Sequence, residues 1–195
     1  MLRERLPSLP TAVGLTRRDA LRSLAGGAAG ALALLAAPRA ARASDGATRR
    51  LVLHNTHTQE SLAVDYCRDG SYCAPALAAV DQVLRDHRNG AVHPIDPALL
   101  DVLHAVAGHC GRDAEFEVIS GYRSPESNAA MHARSPGVAA KSLHMEGRAI
   151  DVRLVGCDLG RLRDAGLALG RGGVGFYSGS QFVHLDTGRV RSWAG

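Results

Sequence analysis

The interval between His144 and Asp151 constrains the fold of this chain more than any other feature. The two residues lie seven positions apart in Ser142-Leu143-His144-Met145-Glu146-Gly147-Arg148-Ala149-Ile150-Asp151. On a regular helix they would sit two turns apart, about 10 Å along the axis, too far to meet at one point. For the imidazole and the carboxylate to converge, the chain must turn back between them, and Gly147 is the residue that permits the turn. Asp151 then falls on a strand predicted over 149–154. A second histidine, His184, stands in Phe182-Val183-His184-Leu185-Asp186, predicted as the last strand. His184 and Asp186 are two apart, so on a strand they face the same side.

Two imidazoles and one carboxylate, with a fourth position left open, form the donor set of a catalytic zinc site. They leave a divalent ion with net positive charge, which lowers the pKa of a bound water and polarises a carbonyl. His144, Asp151 and His184 are therefore the candidate metal ligands and Zn2+ the candidate ion. Asp186 stands beside them with two readings open: a carrier of the proton from the attacking water, or a partner that orients a ligand histidine. The remaining histidines, at 54, 57, 87, 93, 104, 109 and 132, are expected to be structural.

The rest of the chain predicts an α+β domain with a small, mostly antiparallel sheet and flanking helices. Short strands are expected at 51–53, 116–120, 149–154 and 182–186. A hairpin is expected between Tyr66 and Tyr72, around the turn signal Arg68-Asp69-Gly70-Ser71. Helical periodicity runs from Ala76 to Arg88, with Leu77, Val80, Leu84 and His87 on one face. Asp96-Pro97 starts a helix to about Ala107, Ser124-Pro125 one to about Ala133, and Asp158 one to about Leu169. The segment from Gly170 to Gly179, with five glycines, reads as a turn.

Charge narrows the function. The formal charge of +4 is concentrated at the start of the chain, where residues 1–43 carry seven arginines and two acids. Removing them from 23 basic and 19 acidic residues leaves 16 and 17, so residues 44–195 have no overall basic field for nucleic acid. Aromatic residues make up only 4%, too few for a broad stacking surface. The first segment has its own logic. Thr16-Arg17-Arg18-Asp19-Ala20-Leu21 is a twin-arginine pattern, the apolar run Leu24–Ala37 is too short to span a bilayer, and Ala41-Arg42-Ala43 offers a cleavage site before Ser44. The reading is a twin-arginine signal peptide over 1–43 and one catalytic domain over 44–195, exported to the periplasm. Four cysteines in such a compartment permit three disulfide pairings, and the sequence does not choose among them.

The motifs, taken in order, resemble a known family. His57-Thr58, Leu84-Arg85-Asp86-His87-Arg88, Gly121-Tyr122-Arg123-Ser124-Pro125, Ser142-Leu143-His144-Met145, Gly172-Gly173-Val174-Gly175-Phe176-Tyr177 and Phe182-Val183-His184-Leu185-Asp186-Thr187-Gly188 are similar to zinc peptidases of the M15 type. The resemblance is to their YcbK-like (DUF882) branch of murein endopeptidases, and it covers nearly all of 51–193. It implies a small α+β fold shared with the hedgehog signalling domain, zinc held by His144, Asp151 and His184, and hydrolysis of peptidoglycan peptides. It implies that Arg123 holds a substrate carboxylate or steadies the oxyanion; the plainer reading is a surface ion pair. The chain departs from many M15-type enzymes at Gln181, where they carry an acidic base, and Asp186 is the candidate to take over that role. A D,D-carboxypeptidase and a non-catalytic zinc-containing binding module are the competing expectations.

Overall fold

A computed structural model describes residues 48–135 and 137–195, so the expected signal segment lies outside the described residues. Among them, eight strands form one sheet: β1 (Arg49–Asn55), β2 (Ser61–Arg68), β3 (Ser71–Tyr72), β4 (Glu115–Ser120), β5 (Ala149–Leu154), β6 (Gly173–Tyr177), β7 (Phe182–Asp186) and β8 (Arg191–Ala194). Their order across the sheet is β3-β2-β1-β4-β5-β7-β6-β8. Pairing is parallel for β1 with β4 and for β6 with β8, and antiparallel elsewhere. The four helices are α1 (Ala74–Val83), α2 (Pro97–His109), α3 (Pro125–Arg134) and α4 (Leu159–Leu169). None of them is long and apolar enough to cross a membrane.

Three helix starts follow their local chemistry. Asp96 accepts a hydrogen bond from the Ala98 N–H, Ser124 from the Ser127 N–H, and Asp158 from the Gly160 and Arg161 N–H groups. Each cap satisfies donors that a helix start leaves open. The helix expected to reach Arg88 stops at Val83 instead. The next residues are drawn into a loop around the buried carboxylate of Asp86, which accepts from the backbone N–H groups of Arg88 at 3.0 Å and Ser124 at 2.9 Å. His87 is therefore not on a helix face.

The sheet is larger than expected. The hairpin expected between Tyr66 and Tyr72 forms, with Cys67 paired to Tyr72 and Arg68 to Ser71, but its first strand reaches back to Ser61; β8 is an addition, and the glycine-rich stretch read as a turn contains strand β6. Gly175 explains why glycines serve a strand there. A Cβ on it would lie 2.6 Å from the Trp193 ring, so the bare backbone makes room for an indole laid across it.

The strand period sorts the side chains onto two faces. Leu51 and Leu53 of β1, Phe116 and Val118 of β4, Ile150 and Val152 of β5, Val174 of β6 and Val183 and Leu185 of β7 are all buried in the core. They meet α2 and α4, whose Leu99, Leu100, Leu103 and Leu162 are also buried. The alternate residues face the other way. Asp151 pairs with His184, His184 with Gly175, and Gly175 with Trp193, so these four form one row across β5, β7, β6 and β8. The hydrophobic face thus fixes the register, and the register lines up the polar row on the opposite face.

Candidate metal centre

His144 reaches this row from a short 3-10 turn, Leu143–Glu146, started by the Ser142 hydroxyl and ended by Gly147. Gly147 adopts φ 65°, ψ 21°, and a Cβ there would run into the carbonyl of Pro94. Glycine is the residue that this left-handed reversal accepts. The chain turns back where the spacing required, and Ala149–Leu154 follows as β5.

Three donor atoms converge. His144 Nε2 lies 3.2 Å from His184 Nδ1 and 3.4 Å from Asp151 Oδ1, and His184 Nδ1 lies 2.9 Å from the same oxygen. Donors placed tetrahedrally about 2.0–2.1 Å from one ion are about 3.3 Å apart, so the triangle has the size of one face of that tetrahedron. All three residues are buried.

The outer nitrogens decide the tautomers. His144 Nδ1 lies 2.8 Å from the Gly121 carbonyl oxygen, which can only accept. Nδ1 therefore carries the proton and Nε2 presents its lone pair to the centre. His184 Nε2 lies 3.0 Å from Asp186 Oδ2, so Nε2 donates outward and Nδ1 turns its lone pair inward. Two lone pairs and a carboxylate aimed at one point repel one another unless a cation lies among them. The donor set fits a divalent metal ion on size, protonation and charge.

The close approach of these groups also shifts their proton affinities. Burial alone would raise the pKa of Asp151, but the neighbouring imidazoles of His144 and His184 outweigh it and hold the group well below the usual carboxylate range. Burial works against a charged His184, yet the carboxylates of Asp151 and Asp186 beside it raise its pKa.

Asp186 is not one of the three converging donors. It lies behind His184, on the Nε2 side, and is itself buried. Its Oδ1 accepts from the Gly173 and Gly188 N–H groups, both at 2.8 Å, and from Arg191 Nη1 at 3.1 Å. Its Oδ2 accepts from His184 Nε2 at 3.0 Å and from Arg191 Nη2 at 2.6 Å. Burial pushes its pKa up, but these donors prevail and keep it ionised well below the ordinary range. A carboxylate with every lone pair committed and a ring between it and the centre is not placed to take a proton from a water there. These bonds are those of the second of its two readings, a partner that orients a ligand histidine. Gln181, at the position of the missing acid, has φ 57° and donates its side-chain amide to the Ser178 carbonyl.

A cavity of about 620 Å³ opens over the three donors. His57, Arg88, Arg123, Lys141, Tyr177, Arg191 and Trp193 line it together with the triad. Asp151 is the one carboxylate among its lining residues. Arg123 is only 7% exposed, its backbone N–H donates to the His144 carbonyl at 3.1 Å, and Nη1 donates to Asn128 Oδ1 at 3.2 Å. Its Nε is buried without a partner, and among the described residues it forms no ion pair with an acid. Burial lowers its pKa, partly opposed by Asp151. A surface ion pair does not describe it.

Of the residues lining the cavity, sequence reasoning passed over His57, Arg88, Tyr177 and Trp193 as functional side chains. The pairing of Gly175 with both His184 and Trp193 places the last two near the centre, and no local pattern announces it. The four cysteines are free thiols in the structure. Burial, and a Cys157 thiol beside it, push Cys110 up to about 11.

The Peptidase M15_2 family model, described as peptidoglycan L,D-endopeptidase MepK, matches residues 43–193. The chain belongs to the M15_2 peptidase family. M15 peptidases are metalloenzymes, and the His144, Asp151 and His184 cluster is the site where this M15_2 chain can hold its metal. An M15_2 relative from Escherichia coli (strain K12), named peptidoglycan L,D-endopeptidase MepK, is 41% identical over 176 residues, covering 90% of this chain and 96% of its own length. One from Haemophilus influenzae, named probable peptidoglycan L,D-endopeptidase MepK, is 39% identical over 148 residues, covering 75% and 80%. No solved structure matches the chain significantly.

Proposed function

We propose that the chain is a zinc-dependent endopeptidase that hydrolyses L,D peptide bonds in the stems or cross-links of peptidoglycan. The observation that carries the reading is the donor triangle of 2.9–3.4 Å with both histidine tautomers turned inward, in a chain whose relatives are named for that activity. Two imidazoles and one carboxylate are a zinc donor set. The cavity supports the substrate class. Arg123 and Lys141 line it without an acidic partner among the described residues, beside Arg88 and Arg191, which are paired with Asp86 and Asp186; this suits a peptide with free carboxylates.

A bound zinc ion supplies a Lewis acid for the scissile carbonyl and a water of lowered pKa. The protein's own groups do the rest. Gly121 and Asp186 hold the two imidazoles in their donor tautomers. Arg123 lines the cavity and can offer its guanidinium to a substrate carboxylate or to the oxyanion. His57 is the lining imidazole outside the triad.

The segment 1–43 is read as a twin-arginine signal peptide, with residues 44–195 active in the periplasm and related to the YcbK-like branch. The family match beginning at residue 43 supports a domain that starts there. N-terminal analysis of the exported protein tests the boundary. For the activity, purified cross-linked muropeptides are digested by residues 44–195 with and without a chelator, and the products are weighed. Dimers that become monomers, stopped by chelator and restored by zinc, confirm the reading. Stems shortened by one terminal residue point to a carboxypeptidase, and intact dimers beside a metal-loaded, folded protein point to a binding module.

A further inference from the structure

Tyr177 lies in β6 and pairs with Phe182, two residues along from the pairing of Gly175 with His184. By the strand period it faces the same side as His184 and Asp151, one row removed, on the flank away from Asp186. Its ring stacks on Phe182 with centroids 4.5 Å apart. Its hydroxyl oxygen accepts a hydrogen bond from Trp193 Nε1 at 2.9 Å. Trp193 in turn lies across Gly175 with its ring centroid 5.1 Å from that of His184. Ring and hydroxyl are therefore held from two sides, and both Tyr177 and Trp193 line the cavity over the triad.

A phenol has one O–H to donate and lone pairs to accept with. The indole is donor only, so the bond to Trp193 uses a lone pair and leaves the O–H free. An oxygen that already accepts a bond is also a stronger donor. Among the described residues, Trp193 is the partner that occupies this hydroxyl. Arg123 lines the same cavity.

We propose that the Tyr177 hydroxyl is a catalytic hydrogen-bond donor to the oxyanion formed at the scissile carbonyl, with Trp193 as the residue that positions it. The inference rests on the endopeptidase reading above. A donor placed before the reaction, in a cavity that sheds water, stabilises developing charge without reorganising.

The test uses the zinc-loaded protein, wild type, Tyr177→Phe and Trp193→Phe. It measures kcat and KM on a cross-linked muropeptide, binding of a phosphinate isostere of the scissile bond, metal content and melting temperature. Y177F is expected to lose about 100-fold in kcat, the scale seen when one oxyanion donor is removed. It should bind the phosphinate more weakly by a similar factor, with KM, metal content and melting temperature near those of wild type. W193F should move kcat and phosphinate affinity in the same direction by a smaller factor. Y177F within threefold of wild type in kcat and phosphinate affinity overturns the proposal, as does a loss confined to KM or melting temperature. A wild type that leaves dimers intact is a different failure: it sinks the endopeptidase reading, and this inference with it.

Discussion

Asp186→Asn separates the two roles that a carboxylate beside a metal ligand can play. Asp186 receives five hydrogen bonds: from His184 Nε2, from both Arg191 Nη atoms, and from the Gly173 and Gly188 N–H groups. An asparagine keeps one acceptor oxygen and turns an NH2 group on the other donors. If its oxygen serves the two glycines, the NH2 meets the His184 proton and the ring loses the partner that fixes its tautomer. Loss of such a partner weakens metal binding about 10- to 100-fold, or roughly 1.4–2.7 kcal/mol. If its oxygen serves His184, the buried Gly173 N–H and the part-buried Gly188 N–H are left facing a donor. In either orientation Arg191 loses its carboxylate. One buried unsatisfied donor costs about 1–3 kcal/mol, and the partly exposed guanidinium adds less than a fully buried charge would. The expected total is about 3 kcal/mol of folding stability. Zinc affinity is read by competition with a chromophoric chelator at pH 7, stability by urea denaturation of the ion-free protein, and kcat at saturating zinc. Wild-type affinity and stability combined with a kcat lowered a thousandfold would refute the argument and return Asp186 to the role of proton carrier.

Three further outcomes follow from the same geometry. Replacing His144, Asp151 or His184 by Ala should abolish both turnover and stoichiometric zinc binding, read by muropeptide digestion and metal analysis; retained activity in any of them removes that residue from the ligand set. Gly175→Ala puts a methyl 2.6 Å from Trp193 and should lower stability by about 1–3 kcal/mol, seen as a lower urea midpoint, while an unchanged midpoint would show that the indole moves freely. Asp86 is buried, which alone would raise its pKa, but hydrogen bonds from Ser127, Ser124 and Arg88 bring it down to about 2 from 3.8. A depressed carboxylate stabilises the fold above its unfolded pKa and loses that contribution as pH falls through its folded one. Asp86→Asn should therefore cost about 2 kcal/mol at pH 7, and its gap to wild type should close between about pH 4 and 2; a gap that ignores pH would refute this.

Much of the fold was legible where local chemistry decides it. Asp96, Ser124 and Asp158 announce their helices, and the apolar residues of β4, β5 and β7 announce their strands. The failures lie where distant residues override local preference. α1 ends at Val83 because Asp86 is claimed by Ser124, 38 positions away. β6 reads as a glycine-rich turn because its glycines answer to Trp193 and Arg191, not to the backbone of their own segment. The donor triad shows the same division. The interval from His144 to Asp151 requires a reversal, and Gly147 supplies it. The histidine tautomers depend on the Gly121 carbonyl and on which side of His184 the Asp186 carboxylate falls. Strand parity places Asp186 and His184 on one face but does not say which ring nitrogen meets the carboxylate. Tyr177 is a residue of a glycine-rich stretch until the pairing of β6 with β7 gives it a neighbour.

The row that crosses β5, β7, β6 and β8 bears on when the protein can capture its ion. The inward tautomer of His184 depends on Asp186, and Asp186 is clasped by Arg191 at the start of β8. The organised donor set therefore draws on residues from Gly121 to Arg191. A chain still being synthesised holds the core strands β1, β2 and β4 long before it holds this clasp. Full affinity for the ion would then come only with the finished domain.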